Sequence, residues 1–291
     1  MLASNNRWVG LLYLLPALAF VAVFVFYPLT RLVSISMTSE SLLGGGEFVG
    51  FGNYLHAFED RSFWQALWFT VRYTLWITPI LIGLGFLLAL LSTINRPIVR
   101  LTRGVVFLPV VIGLASSSLL WVWLFNQQVG LFNKLLVDVG VLDAPMVWFT
   151  KADLGLFAVI ISVVWKVVGF GMIIMLAGIQ SINHEVIEAA MIDGATWWQR
   201  VRRIILPLSL RAILLATLIS AIGSMLAFDQ FYLMTGGRPR GQTFTSVYWI
   251  YQNSFVYFKL GYGSALSIIL MVIILCASAV QIALTRRGGR A

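Results

Sequence analysis

A chain whose only cysteine is Cys276 cannot close an intramolecular disulfide, and its two histidines, His56 and His184, lie too far apart for zinc-ligand spacing. Cys276 sits in an apolar run, where packing is its expected job. Gly44-Gly45-Gly46 is not followed by Gly-Lys-Ser/Thr, and neither is any other glycine, so the chain does not hydrolyse ATP through a P-loop. No carboxylate pair or nucleophile with a base stands out. Charge is scarce too: 11% of the 291 residues are charged against 60% hydrophobic, with mean hydropathy +0.92. That balance excludes a soluble domain and leaves an integral membrane protein. With no reactive constellation, a conduit is favoured over a membrane enzyme.

Six apolar runs, at about residues 8–29, 66–94, 105–125, 154–180, 208–234 and 262–285, are each long enough to cross the ~30 Å hydrocarbon core. Ala17-Leu18-Ala19 has the look of a signal-peptide cleavage site, but Phe20 to Phe26 continue the run beyond it, so the first span is read as uncleaved. Pro16 and Pro28 are expected to bend or end that span. Trp64 and Trp68 suit the interface, and Gly83 and Gly85 allow close helix packing. Ser116, Ser117 and Ser118 in the third run can bond back to their own helix or across to a neighbour. Between the runs, residues 30–62 read as a flexible outer loop and 126–153 as a mixed segment with one short helix. Residues 236–261, with the aromatic stretch from Tyr248 to Phe258, read as outer-interface chain.

The net charge of +9 would suit a nucleic-acid binder if it were clustered on a soluble surface. Here it is topological. Arg7, Arg96, Arg100, Arg103, Arg200, Arg202, Arg203, Arg211, Arg286, Arg287 and Arg290 fall on one side of the membrane with three acids, Glu185, Glu188 and Asp193. The other side is balanced. The positive-inside rule makes the first side cytoplasmic, with both termini there, and leaves nucleic acid no role.

Lys166 lies ~18 Å along the fourth run, close to the bilayer centre. Its insertion costs ~2.5 to 3.5 kcal/mol, which the aliphatic and phenyl residues around it offset, so the span forms but the lysine needs a partner or a wet cavity.

Residues 181–207 form the longest polar interruption in the later half of the chain. Asn183 can cap a helix carrying Glu185 and Glu188 in its first turns, Gly194 suits a left-handed stop, and Thr196 with Gln199 has capping-box spacing for a second helix. Val186, Ile187, Ala190 and Met191 give the first helix an apolar side able to lie in another protein's groove. Glu188, Ala189, Ala190, Asp193, Gly194, Ala195, Ile204, Leu206 and Pro207 together resemble the EAA loop of the membrane subunits of bacterial ABC importers. Val201 stands where an aromatic is usual, and Asn183 where proline is common. Leu108-Pro109, Trp121 to Asn126, Gly130 to Asn133, Trp165-Lys166, Leu176-Ala177-Gly178, Phe228 to Phe231 and Thr235-Gly236-Gly237 extend the resemblance. They narrow it to carbohydrate-type permeases of the maltose-transporter kind. Arg238 replaces a frequent third glycine before Pro239.

This resemblance implies an all-α polytopic membrane protein with six transmembrane helices and the type I ABC importer permease fold. It would be a single transmembrane domain over 1–291, multi-pass in the bacterial plasma (inner) membrane among its lipids. It implies a second homologous permease, two ATPase subunits and an extracytoplasmic solute-binding protein. ATP and Mg are then used by the ATPase subunits, with no cofactor held by this chain. Glu188, Ala189, Ala190, Met191, Asp193 and Gly194 would form the ATPase-coupling helix. Solute would bind near mid-membrane on Leu114, Lys166 and Phe170, and on Gly223, Leu226, Asp229 and Gln230 within the fifth run. The implied solute is a sugar, oligosaccharide or related polyol. A phosphorylated polyol such as glycerol 3-phosphate is the alternative, with Lys166 as its cation. A stand-alone secondary transporter or channel is the competing class and predicts an inverted repeat or broken membrane helices; no convincing repeat is present.

Overall fold

The computed structural model describes residues 7–94 and 96–288, with side chains at 12–94 and 96–283. Arg290 lies outside the described residues, as do the side chains of Arg7, Arg286 and Arg287. Among the described residues the chain is helical, with one isolated bridge from Thr38 to Phe48.

Helices α1 (Arg7–Val21) and α2 (Tyr27–Ser36) join through a π-turn at Ala22–Phe26. After α3 (Gly52–Glu59) comes α4 (Arg61–Leu91), and then α5 (Pro97–Val111), α6 (Leu114–Leu124) and α7 (Leu131–Asp138). The long α8 (Ala152–Gln180) leads to α9 (His184–Ile192), α10 (Trp197–Arg200), a π-turn at Val201–Ile205 and α11 (Leu206–Leu208). Then follow α12 (Leu210–Met225), a π-turn at Phe231–Thr235, α13 (Ser246–Tyr251) and α14 (Leu260–Gly288). Four stretches are long and apolar enough to cross a membrane: Leu12–Ser36, Arg61–Leu91, Ala152–Gln180 and Leu260–Ala283. Two more are bent pairs, α5 with α6 at 101° and Trp197–Leu208 with α12 at 67°, making six spans when each pair counts as one.

Four sequence expectations are corrected. Pro28 does not end the first span, because it sits in the opening turn of α2, where a missing N–H costs little, and the helix continues to Ser36. The third run is not one helix over 105–125. It starts at Pro97 and turns sharply at Ile112-Gly113, where Pro109 can return no N–H to the preceding turn and Gly113 is extended. The fifth run does not continue unbroken to 234, since Leu226, Ala227 and Phe228 are unwound before the chain re-coils. The stretch 30–62, expected to be a flexible outer loop, is more ordered than that. Asn53 Nδ2 donates to the carbonyls of Ser36 (2.8 Å) and Thr38 (2.7 Å), fastening α3 to the end of α2.

The chain divides into two compact units, residues 1–61 with 250–272, and residues 62–249 with 273–291. In the first, the amide of Gly261 donates to the carbonyl of Glu40 (2.9 Å), and the Tyr262 hydroxyl donates to Asp60 Oδ2 (2.7 Å). In the second, Ala89, Leu90, Met172, Met175, Leu176, Ile179, Val201 and Ala216 form a buried cluster. Gly85 admits Met175 there, whereas Gly83 faces open space, so only one of the two expected packing glycines is used for close approach. Gly178 likewise lets α8 come against Ala212 of α12, with no room for a side chain between them.

Candidate functional site

The break between α5 and α6 exposes carbonyls that a continuous helix would have paired. Lys166, in the middle of α8 and 6% exposed, supplies the donors. Its Nζ donates to the carbonyl oxygens of Pro109 (3.2 Å), Val110 (3.2 Å) and Ile112 (2.5 Å). An ammonium has three N–H bonds, so all are spoken for, and a cation at a helix C-terminus also meets the negative end of its dipole. The partner that the lysine needed is therefore backbone. Among the described residues the ion pairs are Arg72 with Asp153 and His184 with Glu188, so Asp229 is not its counter-ion. Gly169, three residues along α8, removes the Cβ that would strike the Val106 carbonyl and brings α5 close enough for the clamp.

The second break is held the same way. Thr245 is fully buried and its hydroxyl donates to the Ala227 carbonyl freed by the unwound turn (2.7 Å). Ser224 Oγ donates to Thr74 Oγ1 (3.0 Å), and the amide of Ser246 donates to Thr70 Oγ1 (2.8 Å). Phe228 stacks on Tyr232 at 5.2 Å between centroids and meets Tyr248 edge-on at 5.7 Å. Helix α6 packs against both α8 and the 231–235 turn, which draws the two breaks and the middle of α8 into one region.

The expected solute residues divide by exposure. Leu114, Phe170 and Leu226 present open apolar surface, at 41%, 39% and 51% exposure, and Gly223 is also exposed. Asp229 is half-buried. Gln230 is buried and hydrogen-bonded to Tyr73, and Lys166 is engaged as described. The serines of α6 behave as expected, with Ser117 and Ser118 each donating to the Leu114 carbonyl at 2.8 Å.

The polar hairpin is built from local caps. Asn183 Oδ1 accepts from the Glu185 amide (3.1 Å) and starts α9, and Gly194, at φ +76°, takes the left-handed position that ends it. The Ala195 amide then reaches back to the Ala190 carbonyl (2.9 Å). Thr196 and Gln199 form the capping box: the Thr196 amide donates to Gln199 Oε1 (2.7 Å) and the Gln199 amide to Thr196 Oγ1 (3.4 Å). No residue of α9 is buried. Its carboxylate Glu188 is held by His184 Nδ1 at 3.2 Å, one turn back on the same face. Val186 and Met191 are exposed while Ile187 and Ala190 are half-buried, so the apolar side is only partly covered by this chain.

Sequence reasoning did not find Thr245, nor Arg72, which pairs with Asp153 at 3.2 Å beside a cavity of about 330 Å³ lined by Trp68, Gln65 and Gln242. The available signal for Arg72 was a charge inside the second apolar run, answered by an acid, Asp153, just before the fourth.

Residues 57–288 match the family described as binding-protein-dependent transport system inner membrane component. The chain belongs to that family. It is a multi-pass transport permease subunit and not an enzyme. The permease is 34% identical over 284 residues to the sulfoquinovosyl glycerol transport system permease protein SmoG of Agrobacterium fabrum, covering 97% of this chain and 92% of that one. It is 32% identical to the trehalose/maltose transport system permease protein MalF of Thermococcus litoralis, over 95% and 93% of the two chains. It is also 32% identical to the lactose transport system permease protein LacF of Rhizobium radiobacter, over 94% and 92%. The fold matches a chain in the crystal structure of a bacterial alginate ABC transporter in complex with alginate pentasaccharide-bound periplasmic protein, with TM-score 0.86 at 24% identity, covering 97% of this permease and 96% of that chain.

Proposed function

We propose that this permease is half of the membrane core of an ATP-binding-cassette importer that moves a sugar, oligosaccharide or related polyol inward across a bacterial plasma membrane. A second homologous permease completes the conduit, and two ATPase subunits, which use ATP and Mg, seat beneath it. An extracytoplasmic binding protein delivers the solute. The saccharides and sugar derivatives in the names of three relatives support that solute class over a free phosphorylated polyol. Arginines 96, 100, 103, 200, 202, 203 and 211 support a cytoplasmic hairpin, with both termini on the same side.

The observation that carries the reading is α9: capped at both ends and with no residue buried, it is a stiff element left open for a partner. Glu188, Ala189, Ala190, Met191, Asp193 and Gly194 are its coupling residues, and its movement shifts the spans on either side. Leu114, Phe170, Gly223, Leu226 and Asp229 line the solute path, while Gln230 stiffens its wall through Tyr73.

The test is uptake of a radiolabelled solute, identified by what the cognate binding protein captures, into proteoliposomes holding the assembled transporter. Glu188→Lys combined with Gly194→Val is expected to cut ATP-driven uptake by about tenfold or more with membrane insertion intact. Wild-type uptake by that variant overturns the coupling role. Uptake that persists without ATPase subunits favours a stand-alone transporter instead. A binding protein that captures only phosphorylated polyols moves the solute class to the alternative.

A further inference from the structure

We infer that Lys166 is a positioning residue for the solute path: its ammonium holds the bend between α5 and α6 in place and does not serve as a cation for the solute. The inference rests on the proposed conduit for the word path, and on geometry for the rest.

Irregular backbone at membrane depth persists only where protein donors or a water-filled cavity meet its carbonyls, and on the side where Lys166 lies, 6% exposed, the donors are protein. Val110 and Ile112 present two such carbonyls, and that of Pro109 accepts from the Ile112 amide alone (3.2 Å); the Lys166 ammonium brings one donor to each of the three. The match is specific to an ammonium. A glutamine carries two donors, a methionine none, and an arginine spreads its donors over a rigid planar fork that does not converge on three oxygens of one turn. Gly169 belongs to the same device, since any side chain there would push α5 away from α8. Beyond the bend, α6 begins at Leu114, and its first turn is tied by Ser117 and Ser118 to the Leu114 carbonyl. The lysine therefore fixes the direction in which this turn leaves the break. Leu114 and Ser116, both exposed, are placed by it.

The experiment uses the whole assembled transporter in membranes, with Cys276→Ser to remove the native thiol and Ser116→Cys as a near-isosteric reporter on the first turn of α6. The rate of maleimide labelling at position 116 is compared between Lys166 and Lys166→Met, together with Vmax and KM of uptake. Loss of the clamp is expected to change the labelling rate by about fivefold or more, the factor that one lost hydrogen bond represents. Vmax falls and KM for the solute stays where it was. An unchanged labelling rate with a raised KM overturns the proposal, because that is the signature of a lost solute ligand. Unchanged labelling with unchanged uptake overturns it equally. Should Lys166→Met fail to assemble, Lys166→Gln keeps two of the three donors and is expected to give an intermediate labelling change; wild-type labelling in that variant overturns the clamp. A parent transporter without ATP-driven uptake sinks the importer reading instead, and leaves the labelling comparison to decide the clamp.

Discussion

The hairpin at 183–200 and the bend at 112–113 meet one requirement, pairing the backbone groups at a helix end, with partners at very different distances along the chain. In the hairpin Asn183 serves Glu185 and Thr196 serves Gln199, two and three residues away. At the bend Lys166 reaches the Ile112 carbonyl across 54 residues, and at the second break Thr245 reaches Ala227 across 18. Local pairing makes an element that keeps its shape while projecting from the rest of the chain. Long-range pairing makes a shape that depends on how spans pack. The hairpin is thus suited to be pushed as a unit, and the breaks are suited to respond when the spans move.

That contrast can be attacked by substitution, starting with the greatest disturbance. Gly169→Leu drives a side chain into the backbone of Val106 and Phe107 and is expected to cost about 3 kcal/mol, seen as a large fall in the denaturation midpoint of the purified transporter. Thr245→Val keeps the volume but orphans the Ala227 carbonyl and takes an acceptor from the Tyr248 amide, for a cost of about 2 kcal/mol in the same assay. Asn183→Ala removes one cap on an exposed helix and costs about 1 kcal/mol. Its effect is confined to α9, where faster hydrogen exchange at residues 184–187 reports it. Should Asn183→Ala lower the global midpoint as far as Thr245→Val does, the distinction between local and long-range pairing fails.

The same distinction separates what was legible in the sequence from what was not. The two hairpin helices, the left-handed Gly194 and the capping box could be read because every group involved lies within a few residues of its partner. The back-bonding serines of α6 were legible for the same reason. Lys166 announced itself as a charge in need of a partner, but not which one, because a carbonyl freed by a bend leaves no mark in composition. For Pro28 the sequence left bending and ending open, and the choice depends on whether the preceding turn can be re-registered, which the π-turn at Ala22–Phe26 does. Broken membrane helices were expected only of a stand-alone transporter. They occur here in a binding-protein-dependent permease, where the carbonyls they free are met by Lys166 and Thr245.

Gly178 stands three residues before the hairpin opens at Ser181, and Ala212, which it touches, stands three residues beyond the kink at Ser209. The two legs of the hairpin are thus riveted where they leave it. On the proposed coupling role, a tug on α9 would not draw one leg and spare the other; it would arrive at α8 and α12 as a single stroke. Any side chain grown at position 178 would loosen that rivet and let part of the stroke go slack before it reached the bend at Ile112.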